Sequence, residues 1–473
     1  MKGLRGNIRA LLVAFVLMFC VLATYIGYSM FVNGSRYFAS PYNPMLAQQI
    51  DDIVAGSILD RDGNVLAESD ASTGVRKYNG SVTVRRALSH IVGDPYGLTT
   101  GIESYQAQYL LGFSSGMFER LRQSFSSEKR HGDDVVTTLS SELAAYALEQ
   151  LGNRNGSVVI TNYKTGEIYA LVSAPNFDPQ NLKKPTASDD AANDGQGYLV
   201  NRVTMGKYTP GSVFKLVTAT AVLEKKPELL EKTYTCTGKV KYANGTVVCS
   251  GNAVHGKLTV AQALAKSCNC CFAQIAEDLG PSALKETAEE LGYNEEFLFD
   301  DLIVYKSSYV SASAGTLDYA WSAVGQYKDT ASPLHINMIT GAIANGGQMM
   351  EPKLVKEVRS ASGGTYGALS PEAYKTVMSA SSAQQLREMM ELAVTSGTAK
   401  RAALKDYTVA GKTGTAEVSD SKSKEPHAWF TGFVVDEAHP LCITVMVEHG
   451  GGGGSVAAPI AQKVLQKAID LGL

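Results

Sequence analysis

Cysteine, tryptophan and a surplus of charge of either sign are all scarce in this chain of 473 residues. Its 7 cysteines are too few for a scaffold held by disulfides, and they do not form two Cys-x-x-Cys pairs at zinc-binding spacing. The 43 basic and 46 acidic side chains leave a net charge of −3, so the chain lacks the positive field that non-specific nucleic-acid binding requires. We therefore expect no nucleic-acid partner.

The rest of the composition is that of a folded protein. Hydrophobic residues make up 45% of the chain, charged residues 19% and aromatic residues 8%, which excludes a disordered or collagen-like protein. One hydrophobic core rarely serves more than about 250–300 residues. The length therefore predicts at least two folded units.

An uncharged segment near the N-terminus is long enough to cross a membrane. Residues 10–32 carry no charged side chain, whereas Lys2, Arg5 and Arg9 precede them without any acidic residue. As a helix this segment would be about 35 Å long, which exceeds the apolar core of a signal peptide. We predict a cytoplasmic tail at 1–9, a membrane anchor and an extracytoplasmic remainder; a cleaved signal peptide is the alternative.

Beyond the anchor the chain divides into two regions. Residues 33–132 are polar, with short strand-like runs at 56–60 and 63–67, and we predict a small spacer there. From residue 133 the pattern is more regular. It predicts strands at 135–139, 157–162, 167–173, 407–418, 427–435 and 441–448, helices at 140–151, 382–395 and 459–470, and a helix-rich middle at 212–372. Strands at both ends predict one mixed sheet completed by distant segments, in an α/β (α+β) fold.

Ser-x-x-Lys is the first motif that could carry chemistry. It occurs at Ser126, Ser212, Ser282, Ser419 and Ser421. Only Ser212 follows a Thr-Pro-Gly turn and opens an apolar run that suits a buried helix. At a helix N-terminus the dipole favours a developing oxyanion, and Lys215 would lie on the same face as Ser212. Burial would keep its amine neutral, so that it could act as the base; a helix cap with a solvated lysine is the alternative.

Ser-x-Asn occurs twice, and its surroundings separate the copies. Ser250 lies in a Gly-rich turn, whereas Ser267-Cys268-Asn269 interrupts a helical pattern. A loop tip between helices could direct both Ser267 and Asn269 into a cleft. We therefore favour this copy.

Lys-Thr-Gly also occurs twice. Lys164 lies in a predicted hairpin turn, whereas Lys412 lies in an alternating strand pattern. Glycine in a strand allows another backbone to approach closely, so Gly414 favours Lys412 as the copy against which a substrate lies. Thr413 and Thr415 could then hydrogen-bond a substrate carboxylate, to which Lys412 supplies the opposite charge.

The three motifs, in this order, resemble those of the penicillin-binding proteins, the serine D,D-transpeptidases that cross-link peptidoglycan. The resemblance covers residues 133–473 and includes Asn201-Arg202, His255-Gly256 and Ala428-Trp429-Phe430. A single anchor without a glycosyltransferase domain is similar to the class B, monofunctional branch. The segment Gly325-Gln326-Tyr327 departs from the Gly-Gln-Gly of many relatives.

This resemblance implies a fold and a role for each motif residue. The fold would be a penicillin-binding/serine β-lactamase-like transpeptidase domain at 133–473, with a mixed sheet and a helical subdomain, behind a small α+β pedestal at 33–132. Ser212 would be the acylated nucleophile and Lys215 its base. The residues that would relay protons or hold the substrate are Ser267, Asn269, Lys412, Thr413, Gly414 and Thr415. The backbone N–H groups of Ser212 and Thr415 would form the oxyanion hole.

The ligands implied by the resemblance are peptidoglycan stem peptides and the β-lactams that mimic them, and no cofactor is expected. A membrane glycan polymerase of the shape, elongation, division and sporulation (SEDS) family is the implied partner. The implied location is the cell membrane, with a single span and the catalytic domain outside. Three alternatives stay open: a D,D-carboxypeptidase with water as acceptor, a β-lactamase, and a catalytically silent cell-wall scaffold.

The cysteines permit two further hypotheses. Cys236 and Cys249 flank a 12-residue polar loop outside the membrane, where either a disulfide or free thiols would be stable. A zinc site could be formed by Cys268, Cys270, Cys271 and His255. Two of these cysteines lie three positions apart on a predicted helix and suit a hydrophobic core, so we expect no metal site.

Overall fold

The computed structural model describes residues 2–38, 53–113, 129–183, 197–361, 363–417 and 425–473. Helix α1 spans Lys2–Phe38, and within it Gly6–Ser29 is long and apolar enough to cross a membrane. No other helix in the described ranges meets that criterion. The predicted anchor at 10–32 overlaps this segment.

Most strands of the described chain are short. They are β1 Ile53–Val54, β2 Ile58–Leu59, β3 Val65–Ser69, β4 Arg76–Tyr78, β5 Arg130–His131, β6 Asp134–Thr137, β7 Gly156–Asn162, β8 Ile168–Ala174, β9 Tyr234–Cys236, β10 Lys239–Tyr242, β11 Gly245–Val248, β12 Gly256–Leu258, β13 Phe297–Leu298, β14 Ile303–Val304, β15 Gln348–Met350, β16 Val355–Arg359, β17 Thr365–Tyr366, β18 Ala373–Thr376, β19 Val409–Ala416, β20 His427–Val434 and β21 Leu441–Val447. The five longest of the motif-bearing region coincide with strands that the sequence pattern predicts.

Thirteen α-helices follow α1 in the described chain. They are α2 Val82–Ala87, α3 Ser89–Val92, α4 Ile102–Tyr105, α5 Ala107–Leu110, α6 Ser141–Leu151, α7 Lys215–Lys225, α8 Val260–Ala265, α9 Asn269–Leu279, α10 Pro281–Glu290, α11 Leu317–Ser322, α12 Pro333–Ala344, α13 Ala380–Thr395 and α14 Ala457–Asp470. The side chain of Ser140, the first residue of the helix predicted at 140–151, caps α6 by accepting the Leu143 N–H.

A five-stranded sheet in the order β19-β20-β21-β7-β8 carries the site. It is completed by segments from both ends of the region, as predicted. All its pairings are antiparallel, so the prediction of a mixed sheet is wrong for this sheet. The connections β7–β8, β19–β20 and β20–β21 span ten residues or fewer, which is too few for the crossover that parallel neighbours need.

Helices cover this sheet, and every residue of β7, β8, β20 and β21 is buried. Helix α12 is tied to the strands by buried polar contacts: Thr161 Oγ1 donates to Asn337 Oδ1 at 2.7 Å, and the hydroxyls of Thr340 and Thr431 lie 2.7 Å apart. Helices α6 and α14 pack against the sheet and against each other. Strand β19 lies at one edge of the sheet. Its unpaired side is therefore free to contact the helix-rich middle of the chain.

A second sheet crosses the predicted boundary at residue 133. Its order is β17-β16-β6-β2-β3-β4, and β6 pairs in parallel with β2 and antiparallel with β16. Strand β2 of the predicted pedestal therefore shares backbone hydrogen bonds with β6, which on its other side pairs with residues 355–359. The predicted helix-rich middle also contains several two- to five-residue strands, which are too short for alternation to reveal.

An ion pair fastens α2 to the loop after β8. Arg85 Nε lies 2.7 Å from Asp178 Oδ1, and Nη2 lies 2.8 Å from Oδ2. This guanidinium lowers the pKa of the Asp178 carboxyl to about 2. The carboxylate is therefore favoured in the folded state, and its stabilising effect is lost as pH falls from the unfolded value of about 3.9 towards 2.

We expect Asp178→Asn to lower the free energy of unfolding by about 1–2 kcal/mol, allowing for solvent screening, because Arg85 loses its charged partner. Chemical denaturation of the full chain in detergent measures this. Asp70→Asn is the matched control, since the Asp70 pair with Lys77 is more exposed, and it should have a smaller effect. Equal losses in the two variants would contradict the prediction.

Candidate active site

Ser212 lies in a tight turn that leads into a buried helix. Gly211–Phe214 form one 3₁₀ turn, and α7 begins at Lys215. Gly211 has a φ of 56°, and a Cβ at this position would lie 2.8 Å from the backbone oxygen of Thr415. Glycine thus meets both the backbone conformation and the close approach to β19. The turn holds Ser212 against that strand.

Lys215 is fully buried and lies at the centre of the site. Its Nζ is 3.0 Å from Ser212 Oγ, 2.9 Å from the Ser267 backbone oxygen, 3.3 Å from Ser267 Oγ and 2.6 Å from Asn269 Oδ1. Burial lowers the pKa of Lys215 to about 8. A useful fraction of the amine is therefore neutral near neutral pH and can accept the Ser212 proton.

Ser267 and Asn269 lie where α8 ends and α9 begins. Ser267 has a φ of 53°, in the left-handed region that residues other than glycine rarely adopt. Cys268 caps α9, its sulfur accepting the Cys271 N–H at 3.4 Å. Asn269 Nδ2 donates to the Val248 oxygen at 2.8 Å, which leaves Oδ1 for Lys215. The junction thus directs both polar side chains towards the same amine.

Lys412, in β19, is also fully buried. Its Nζ donates to Ser267 Oγ at 2.8 Å and to the Thr413 backbone oxygen at 2.7 Å, so the Ser267 hydroxyl bridges the two lysines. Burial and the charge of Lys215 lower the pKa of Lys412 well below its ordinary value. A carboxylate beside this amine would stabilise its charged form and raise that pKa again.

The segment after Lys412 forms one wall of the site. The hydroxyls of Thr413 and Thr398 lie 2.6 Å apart, and Thr415 Oγ1 accepts the Gly453 N–H at 3.4 Å. A Cβ on Gly414 would meet neighbouring side chains at 2.9 and 3.1 Å, so glycine permits the close packing of this strand. Because β19 is an edge strand, part of its backbone can bind another chain.

The glycine run 450–454 also belongs to this wall, and sequence reasoning missed it. A Cβ on Gly453 would lie 2.3 Å from the Gly414 oxygen, and one on Gly454 would lie 2.7 Å from the Thr398 oxygen. The run therefore packs directly on β19. Five consecutive glycines immediately after a buried strand were the signal that could have revealed it.

The loop 325–327 supports the Ser212 turn. The Gly211 N–H donates to the Gly325 oxygen at 2.8 Å, and a Cβ on Gly325 would lie 2.1 Å from the Gly211 oxygen. Tyr327 has a φ of 67°, a conformation that glycine adopts at lower cost. The tyrosine that departs from the Gly-Gln-Gly pattern is thus accommodated at the expense of local strain.

The other described copies of the motifs make no hydrogen bond to Lys215 or Lys412. Lys164, Ser250 and Ser282 are exposed, the first in the turn between β7 and β8. The remaining copies fall outside the described residues: Ser126, Ser419 and Ser421. Among the described copies, only those at Ser212, Ser267 and Lys412 come together.

These contacts define a class of site. A serine hydroxyl contacts a buried lysine of lowered pKa, a second hydroxyl bridges to another buried lysine, and an edge strand offers backbone donors, which together suit acyl transfer through a serine ester. Residues 156–466 match the model of the penicillin binding protein transpeptidase domain. The chain belongs to this family.

Similar proteins extend the match beyond that domain. The peptidoglycan D,D-transpeptidase PbpA of Mycolicibacterium smegmatis is 29% identical over 436 residues, covering 86% of this chain and 87% of the relative. A D,D-transpeptidase domain from Eggerthella lenta superposes with a TM-score of 0.76 at 30% identity, covering 89% of this chain and 99% of that one. Penicillin-binding protein A of M. tuberculosis, solved as a ceftriaxone acyl-enzyme complex, superposes with a TM-score of 0.80 at 26% identity, covering 89% of this chain and 100% of that one.

We expect Lys412→Ala to slow acylation by penicillin by about 10²-fold or more, because it removes both the charge that would face a carboxylate and a partner of Ser267. Lys164→Ala is the matched control, since that lysine is exposed in a distant turn, and its rate should be unchanged. Stopped-flow labelling of folded proteins gives both rates. Equal effects of the two substitutions would refute the assignment.

Proposed function

We propose that this chain is a peptidoglycan D,D-transpeptidase that works through an acyl-enzyme on Ser212. The observation that carries the proposal is the set of contacts made by Lys215 Nζ, which reaches Ser212, Ser267 and Asn269 at once. Lys412 joins the same network through the Ser267 hydroxyl. Three motifs that are far apart in the chain thus converge on one amine.

In the first step Ser212 Oγ attacks the carbonyl between the two terminal D-alanines of a stem peptide. The Ser212 proton passes to neutral Lys215, and a bond forms between Oγ and the acyl carbon. The backbone N–H groups of Ser212 and Thr415 stabilise the oxyanion. When the peptide bond breaks, the leaving D-alanine amine takes a proton by way of Lys215 and Ser267.

In the second step an amine of a neighbouring strand attacks the ester. Its surplus proton returns through Lys215 to Ser212 Oγ as the ester bond breaks, so the enzyme regains its starting state and a new peptide bond remains. Lys412, Thr413, Gly414 and Thr415 hold the donor carboxylate during the first step. β-Lactams present a similar carboxylate and carbonyl, and they leave a slowly hydrolysed ester on Ser212.

The N-terminal segment gives the enzyme its location. Residues 10–32 form the anchor, and the basic residues at 2, 5 and 9 favour a cytoplasmic N-terminus. The pedestal at 33–132 then holds the transpeptidase region at 133–473 outside the membrane. The partner is a SEDS glycan polymerase, which supplies nascent strands beside the anchor.

Ser212→Ala should abolish covalent labelling by a fluorescent penicillin while the fold is retained, because the substitution removes only the nucleophilic oxygen. Intact-mass analysis and circular dichroism measure the adduct and the fold. Ser282→Ala is the control, since Ser282 opens another Ser-x-x-Lys copy and is exposed at the start of α10, and it should label normally. An adduct that persists in Ser212→Ala would disprove the assignment.

A truncated form that begins at Ser35 should be soluble and react with penicillin at nearly the rate of the full chain in detergent, because the motifs all lie beyond residue 200. The same form, exported by a cleavable signal, should fail to restore wall cross-linking in cells depleted of the enzyme. Muropeptide analysis measures the cross-links. Restoration at normal expression would show that the anchor has no part in partner pairing.

A further inference from the structure

Three cysteines and one histidine meet beside the Ser267 loop. Cys236 ends β9, Cys249 follows β11, His255 precedes β12 and Cys268 caps α9. Cys236 and Cys249 are free thiols and do not form a disulfide. The ligand atoms of the four residues all lie within 4.8 Å of one another. We infer that these residues, called here the thiol–imidazole cluster, bind one zinc ion.

Three of the six distances between the ligand atoms match the edges of a tetrahedron around zinc, and the other three are at most 4.8 Å. With Zn–S at about 2.3 Å and Zn–N at about 2.0–2.1 Å, ideal tetrahedral angles separate two sulfurs by about 3.8 Å and sulfur from nitrogen by about 3.5 Å. The sulfurs of Cys236 and Cys249 lie 3.7 Å apart, and those of Cys249 and Cys268 lie 3.6 Å apart. His255 Nδ1 is 3.5 Å from Cys236 Sγ.

Backbone groups around the cluster suit thiolate ligands. The Gly238 N–H donates to Cys236 Sγ at 3.4 Å, and the Cys271 N–H donates to Cys268 Sγ at 3.4 Å. Such bonds stabilise the deprotonated sulfur that binds metal and orient it. All three cysteines are buried, whereas His255 is partly exposed and provides the side from which an ion can enter.

The chemistry of the donors selects zinc and a structural role. Three thiolates and one imidazole in a tetrahedral arrangement are a common structural zinc set, and four protein ligands leave no position for a reacting water. Two neighbouring cysteines lie outside this set of four: Cys270 Sγ is 3.4 Å from Cys249 Sγ and 4.0 Å from the Val247 oxygen, and Cys271 Sγ is 3.7 Å from the Tyr234 oxygen. The site is therefore closed.

This inference departs from the metal-free expectation, which considered only cysteines adjacent in sequence together with His255. The ion would be shared by β9, the hairpin end at Cys249 and the junction between α8 and α9. Cys268 stands between Ser267 and Asn269, so the metal bond would hold the left-handed backbone of Ser267 and the direction of both side chains. Metal binding is independent of the proposed function; only this positioning effect rests on it.

The direct test is the metal content of the full-length chain, purified in detergent without a metal-binding tag or chelator. Mass spectrometry of the metal should find one zinc ion per chain, and thiol alkylation at the three ligand cysteines should occur only after the metal is removed. A folded, penicillin-reactive chain without zinc would overturn the inference, whether Cys236 and Cys249 are then free or joined by a disulfide.

Variants locate the ion. Cys236→Ser and His255→Gln, neither of which contacts the Ser212 network, should each reduce bound zinc at least tenfold. Cys271→Ser is the matched control: this cysteine lies in the first turn of α9, three residues after Cys268 but outside the cluster, and the variant should retain one ion. Full zinc content in both ligand variants would overturn the assignment.

Cobalt(II) exchange into the wild-type chain gives a readout that does not depend on the folding of a variant. Tetrahedral thiolate ligands predict an intense visible spectrum with a sulfur-to-cobalt charge-transfer band. The weak spectrum of a six-coordinate oxygen site would contradict the cluster.

Activity then separates the two proposals. Removal of zinc should slow penicillin acylation at least tenfold, and zinc alone should restore it. If zinc is present but Ser212 is never acylated, the metal site stands and the proposed function fails. If acylation is equally fast without zinc, the positioning effect is wrong.

Discussion

The active site depends on the exclusion of water from the amine of Lys215. Residues 215–223 of α7 are all buried, and this packing removes water from Lys215 while the oxygens of Ser212, Ser267 and Asn269 replace it. In water the amine would be almost fully protonated at neutral pH and could not take a proton from serine. The reactivity that we propose for Ser212 therefore depends on the packed core behind it, and we expect looser packing of α7 to lower this reactivity before it unfolds the protein.

Much of the fold follows from local sequence. The residue pattern predicts all five strands of the main sheet. Ser140 marks the start of α6, because its hydroxyl accepts a backbone N–H that has no partner within the helix. The transpeptidase class predicted from the motifs is confirmed by the family match. What the local pattern does not contain is strand direction or the pairing of two-residue strands such as β2, because these depend on contacts between distant segments.

The active site also combines features that local sequence predicts with features that depend on contacts between distant segments. Flanking residues separated Ser267 from Ser250 and Lys412 from Lys164, since a helix junction and a glycine-containing strand differ in kind from exposed turns. The roles assigned to these residues stay predictions. The glycine run 450–454 was visible in the sequence, but the strand on which it packs was not. The meeting of Cys236 with His255 could not be predicted, because the antiparallel pairing of Cys236 with Gly256 is set by the hairpin between them and not by spacing.

The second sheet bears on how such chains can diversify. Strand β6 is bonded on one side to residues 58–59 and on the other to residues 355–359, so each half of the protein completes the other. A pedestal taken from a related chain would have to match β6 in register, or leave that edge of β6 unpaired. Inheritance of the two halves as a unit, without shuffling, is the evolutionary history that this hydrogen-bonding pattern favours.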